Sequence, residues 1–131
     1  MIKTIKIQST TRNICEVELF LSQIFKELQF SRKIYCKIYL STIEAVNNAI
    51  LHGNNNVPTK NVDISFNNLK TKFSVIIKDE GNGFDYYNVS DPTKPLNLKK
   101  ESGRGIFIMK QYADKVTFNE SGNCVNLLFN K

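Results

Sequence analysis

The sequence is poor in several features, and each shortage excludes something. No stretch approaches the about 18 consecutive apolar residues of a membrane-spanning helix. The first residues, M-I-K-T-I-K-I-Q, alternate apolar with polar and lack the apolar run of a secretory signal, so a cytoplasmic location is expected. Cys15, Cys36 and Cys124 are odd in number and contain no C-x-x-C pair. That disfavours a disulfide framework and a zinc site, and leaves small buried hydrophobes in a reducing compartment as the expectation. Arginine occurs only at 12, 32 and 104, and the lysines are scattered. With no interleaved aromatic platform, the net charge of +6 does not read as a nucleic-acid surface. No repeat or linker is visible, so residues 1–131 are expected to form a single domain. The chain is 41% hydrophobic and 23% charged, the balance of a globular core.

Periodicity orders the elements. Ile2, Ile5 and Ile7 against Lys and Gln predict an edge strand over 2–8. Asn13 is placed to cap a helix over about 14–29, with Ile14, Val17, Leu21, Ile24 and Leu28 on its buried face. Ser31 caps a longer helix, about 32–52, which Gly53 ends. Two strands follow, carrying Val62, Ile64 and Phe66, then Phe73, Val75 and Ile77, with the turn at Asn67-Asn68. Residues 86–102 read as a long loop of the kind used as a lid. A helix is expected over about 105–113, then strands near 115–120 and 123–129 around Ser121-Gly122-Asn123. The order predicts an α+β two-layer sandwich, with helices on one face of a mixed, mostly antiparallel sheet.

Three short segments carry candidate chemistry. In E-A-V-N-N-A-I-L-H-G-N-N, residues 44–55, Glu44, Asn48 and His52 are four apart and share one helical stripe. Ile38, Val46, Ala49 and Ile50 lie on the opposite arc. A carboxylate one turn from a carboxamide suits a magnesium–phosphate site; a capped helix with Glu44 exposed is the plain structural alternative. In K-D-E-G-N-G-F-D, residues 78–85, Gly81 and Gly83 allow positive φ and close backbone approach to a ligand. Asp79 there can accept from an exocyclic amine, although an ordinary turn has the same composition. In S-G-R-G-I-F-I-M, residues 102–109, Gly103, Arg104 and Gly105 open a helix whose N-terminal N–H groups favour an anion. The alternative is a flexible hinge into an amphipathic helix.

In order and spacing these segments resemble the anti-sigma factor serine-protein kinases of bacteria, within the histidine kinase and gyrase-like ATPase superfamily. The run E-A-x-x-N-A-x-x-H-G-N at 44–54 is the most specific part, and the resemblance covers nearly the whole chain. It implies a Bergerat-type ATP-binding fold and a protein serine/threonine kinase using ATP and magnesium. Asn48 would ligate magnesium and Glu44 would be the general base or the carboxylate that orients the nucleophile. Asp79 would hold the adenine amine in a pocket shaped by Gly81 and Gly83. Gly103, Arg104 and Gly105 would wrap the phosphates under the lid, beside Lys94, Lys99 and Lys100. His52 belongs to the run without an assigned step. The implied partners are a sigma factor and a STAS-domain anti-anti-sigma protein, with no nucleic acid or membrane and a possible homodimer. One departure stands out: the family often shows G-T-T-V near the C-terminus, where this chain has Gly122-Asn123-Cys124-Val125. That leaves a second reading open, a nucleotide-responsive partner-switching module without kinase turnover.

Overall fold

Alternation of apolar and polar residues builds the sheet. The computed structural model of the chain describes residues 1–81 and 101–131. Five strands are present among these: β1 (Ile2–Gln8), β2 (Asn61–Asn68), β3 (Lys72–Lys78), β4 (Lys115–Phe118) and β5 (Cys124–Asn130). They line up in the order β1-β2-β3-β5-β4, and every pairing is antiparallel. The two-layer architecture is as expected; the sheet described is wholly antiparallel rather than mixed. Register sets the apolar residues opposite one another: Ile7 against Val62, Ile64 against Ile77, Phe66 against Val75, Val75 against Leu127, and Phe73 against Phe129. All are buried. A one-residue slip would expose the whole set, so burial itself pins the register.

Helices α1 (Ile14–Leu28), α2 (Arg32–Asn48) and α3 (Glu101–Tyr112) cover the apolar face. Val17, Leu21 and Ile24 of α1 and Ile38, Ala45 and Val46 of α2 are buried in one cluster with the sheet residues, as are Ile106 and Met109 of α3. Helix α2 lies on β3 and β5 and packs along α3. Ser31 caps α2 as its position predicts, its Oγ accepting from the Ile34 N–H at 3.2 Å.

Four expectations are corrected. Asn13 does not cap α1 with its side chain, because a short 3₁₀ turn at Thr11–Asn13 precedes the helix. Its amide instead donates to the Gln8 carbonyl at 3.1 Å. The β2–β3 turn lies at 69–72, closed by the Leu69 N–H donating to Lys72 O at 3.0 Å; Asn67 and Asn68 remain paired in β2. Helix α3 starts four residues earlier than expected, at Glu101, so Gly103 and Gly105 lie within it. The cysteines are not buried: Cys15 and Cys36 are exposed and Cys124 is half-buried. The lid expected over 86–102 falls outside the described residues except for 101 and 102, which belong to α3. Gly83, Lys94, Lys99 and Lys100 lie outside them too.

Candidate active site

The end of α2 sets the floor of the site. After Asn48 the helix widens into a π turn over Ala49–Gly53, in which the Asn54 N–H donates to Ala49 O at 2.8 Å. Single π turns of this kind are frequent at functional sites. The wider turn brings Gly53 directly beneath Asp79. A Cβ on Gly53 would strike the Asp79 carboxylate, and a Cβ on Gly81 would strike the Gly53 carbonyl. Glycine is therefore required at 81 by packing against the helix end. The positive φ expected there is absent, since Gly122 is the one glycine with positive φ among the described residues.

Asn54, the last residue of the run at 44–54, locks this junction, a role the sequence does not show. It is fully buried. Its Nδ2 donates to Ser9 Oγ at 2.6 Å and to Asn61 O at 2.9 Å, and its Oδ1 accepts from the Glu80 N–H at 2.8 Å. One carboxamide thus ties the end of α2 to the end of β1, the start of β2 and the turn after β3. The sequence signal was its place in the H-G-N ending of that run, which a polar loop after the helix-ending glycine explains equally well.

Asp79 emerges from β3 into this junction and is nearly buried. Its Oδ1 accepts from the Gly81 N–H at 2.8 Å, and its own N–H donates to Asn123 O at 2.9 Å. Burial pushes its carboxyl above the usual range, opposed by the Gly81 hydrogen bond and by Lys60. A small cavity opens beside it, lined by Ala45, Asn48, Ile77, Met109, Phe118 and Cys124 among others. Its volume of about 20 Å³ admits a single water. Asn123, which stands where the family shows a hydroxyl, sends its Nδ2 toward Gly81 O at 3.4 Å. Cys124 also stands at a hydroxyl position, and burial raises its thiol above the usual range.

The second cluster sits on the other side of Asn48. A Cβ on Gly105 would lie 3.2 Å from both ends of the Asn48 carboxamide and 3.3 Å from Glu44 Oε2. Gly105 therefore lets α3 approach α2 where Glu44 and Asn48 project, which is why a glycine is carried inside a helix despite its propensity cost of about 1 kcal/mol. Gly103 and Arg104 lie in α3 with Gly105. Burial raises the Glu44 carboxyl above its ordinary value, and the Arg104 guanidinium opposes the shift. An open cleft of about 380 Å³ runs between the helices, lined by Glu44, Asn47, Asn48, Leu51, His52, Arg104 and Ile108. The stripe Glu44, Asn48, His52 thus faces one cleft, despite the π turn between its last two members.

Asn48 lines both cavities. Its Nδ2 is buried without a hydrogen-bond partner. Such an orphan costs about 1–3 kcal/mol unless something supplies the missing bond. The two ends of a carboxamide are assigned rather than seen. In one orientation the nitrogen donates to a phosphate oxygen; in the other the oxygen ligates a hard cation. No cluster of three or more His, Cys, Asp or Glu that could hold a metal occurs among the described residues. One amide oxygen with one carboxylate nearby fits magnesium brought in by a nucleotide, which keeps waters and phosphate oxygens as most of its ligands.

Residues 7–129 match the histidine kinase-like ATPase domain. The chain belongs to that family. Among curated relatives, this histidine kinase-like ATPase domain is similar to the serine-protein kinase RsbW of Staphylococcus aureus. The proteins of strains MSSA476, MW2 and JH9 are each 26% identical to it over 132 residues, spanning 93% of this chain and 82% of the relative. Among the described residues no helix is long and apolar enough to cross a membrane.

Proposed function

We propose that the chain is an ATP-dependent protein serine/threonine kinase that acts as an anti-sigma regulatory factor. It would phosphorylate a STAS-domain antagonist and bind a sigma factor, as a single cytoplasmic domain over 1–131. One observation carries the reading: Glu44 and Asn48 converge on Gly105, and among the described residues Asn48 alone borders both the Asp79 pocket and the open cleft. A nucleotide laid across Asn48 would place its base at Asp79 and its terminal phosphate near Glu44. Asp79 accepts from the adenine amine; Gly81, and Gly83 beyond it, shape that end. Asn48 would hold magnesium, whose positive charge would supply stabilisation to the phosphates. Gly103, Arg104 and Gly105 contact the phosphates. Glu44 orients the acceptor hydroxyl and takes its proton, and its raised carboxyl pKa makes it a better base than an exposed glutamate.

The test is transfer of radiolabel from Mg-ATP to the cognate STAS protein. Glu44→Ala is expected to cut transfer about 100-fold or more while leaving nucleotide binding in place. Transfer at the wild-type rate would remove Glu44 from the mechanism.

A second reading, a nucleotide-responsive switch without turnover, is favoured by Asn123 and Cys124 at the hydroxyl positions. A purine enters only if side chains such as Phe118 or Met109 move aside. Nucleotide-dependent capture of partners with no phosphate transfer supports that reading over the kinase.

A further inference from the structure

The cleft between α2 and α3 has a wall the phosphates do not need. Leu51 of the π turn and Ile108 of α3 both line it, together with Glu44, Asn48 and His52. Branched apolar side chains offer nothing to a triphosphate. Both are only partly covered, and Ile108 lies outside the apolar core cluster. The volume of about 380 Å³ falls within the range of about 300–1,000 Å³ typical of ligand sites. The small Asp79 cavity lies across Asn48 from this cleft.

We propose that this cleft is the acceptor channel, which takes an exposed hydroxyl residue of a partner protein together with an apolar side chain adjoining it. The proposal rests on the kinase reading and names its acceptor. Glu44 faces the hydroxyl. His52 and Asn47 hydrogen-bond the main chain of the entering segment and fix its direction, and Leu51 and Ile108 take the apolar neighbour. In the transfer, the acceptor oxygen bonds to the terminal phosphorus of a nucleoside triphosphate. The bond from that phosphorus to its bridging oxygen breaks, and the nucleoside diphosphate leaves with the electron pair. The hydroxyl proton passes to Glu44. Arg104, in the same cleft, lies where charge on the moving phosphoryl group develops. His52 and Ile108 are thus specificity residues, separate from the groups that hold the nucleotide.

The experiment measures label transfer from Mg-ATP to the STAS protein, varying each substrate while the other saturates, with ATP affinity read separately by calorimetry. His52→Gln and Ile108→Asp are each expected to raise the acceptor KM about tenfold or more, with the ATP dissociation constant held within about twofold. Gln111→Ala, exposed on α3 outside the cleft, should move neither. His52 is exposed, so its variant tests the channel even where Ile108→Asp fails to fold. Replacing the acceptor's apolar neighbour by aspartate should raise KM for the wild type, and Ile108→Lys should recover part of the loss. An unchanged acceptor KM in the cleft variants overturns the channel, and so does a parallel loss of ATP affinity, which would assign the cleft to the nucleotide. If the wild type binds ATP yet labels nothing, the kinase reading itself falls and the channel with it; transfer by the wild type keeps those two failures apart.

Discussion

The two sides of Asn48 are built differently. The Asp79 side is narrow and made by the backbone: two glycines pressed against neighbours, a strand end, and a buried asparagine bonded to main chain. The Glu44 side is wide and made by side chains on two helices. On the narrow side a substitution should therefore cost the fold together with any nucleotide site. On the wide side it should cost chemistry and leave the fold intact. A site divided this way can vary its acceptor without rebuilding its base pocket.

The largest effect expected is on the wide side. Glu44→Gln removes the proposed base and should lower phosphate transfer by about 100- to 10,000-fold. The fold should gain from the same change. Burial raises the Glu44 carboxyl, so the folded chain holds a proton that the unfolded chain has released. Stability is then lost as pH rises from the ordinary glutamate value through the raised one, and stays lost above it. Glu44→Gln deletes this loss, so its melting temperature at neutral pH should exceed that of the wild type, and the excess should vanish in acid. A melting curve for each protein across pH checks the sign. A destabilised Glu44→Gln would mean that the wide side also holds the fold together, and the contrast would fail.

Next comes Gly81→Ala. The added methyl meets the Gly53 carbonyl, and neither backbone can retreat without moving the π turn or β3. Overpacking of this kind costs about 1–3 kcal/mol, and a clash with main chain belongs at the upper end. Urea unfolding reads it directly. Asn54→Ala should follow at about 2–3 kcal/mol, because the Glu80 N–H and the Asn61 carbonyl lose a buried partner together. Either variant folding as stably as the wild type would show that the narrow side is not held by these contacts.

The legibility of the sequence follows the same division. The strands and helices were readable because their apolar residues repeat at the period of the element that buries them. Glu44, Asn48 and His52 were readable because spacing of four places them on one helical stripe. Asn54 was not, since its partners Ser9, Asn61 and Glu80 come from three other places in the chain, and no local pattern encodes them. Gly81 was singled out for positive φ and for close backbone approach to a ligand, and the first of these is absent. Its conformational freedom is not used; what matters is a neighbour 28 positions earlier, at Gly53. The start of α3 was missed because Gly103-Arg104-Gly105 read as the opening of the helix, while Gly105 lies inside it and lets it touch Asn48. Asn67 and Asn68 read as a turn because asparagine favours turns, yet β1 and β3 flank β2 and hold both residues in its ladder.

The smallest effect tests the narrow side most finely. Cys124 lines the Asp79 cavity, and burial raises its thiol above the usual range. A thiol is a weak donor. Cys124→Thr puts a hydroxyl of similar size at the same place, in a strand where a β-branched residue fits. If a nucleotide base or its bridging water sits against that wall, one better hydrogen bond is worth about 0.5–1.5 kcal/mol, or about two- to tenfold in ATP affinity. The acceptor KM should stay where it was, because Cys124 does not border the wide cleft. Calorimetric titration with ATP, beside transfer kinetics at saturating ATP, measures both. Tighter ATP binding with an unmoved acceptor KM would place the base at Asp79 and the acceptor beyond Asn48. An acceptor KM that shifts with Cys124 would mean that Asn48 does not divide the site.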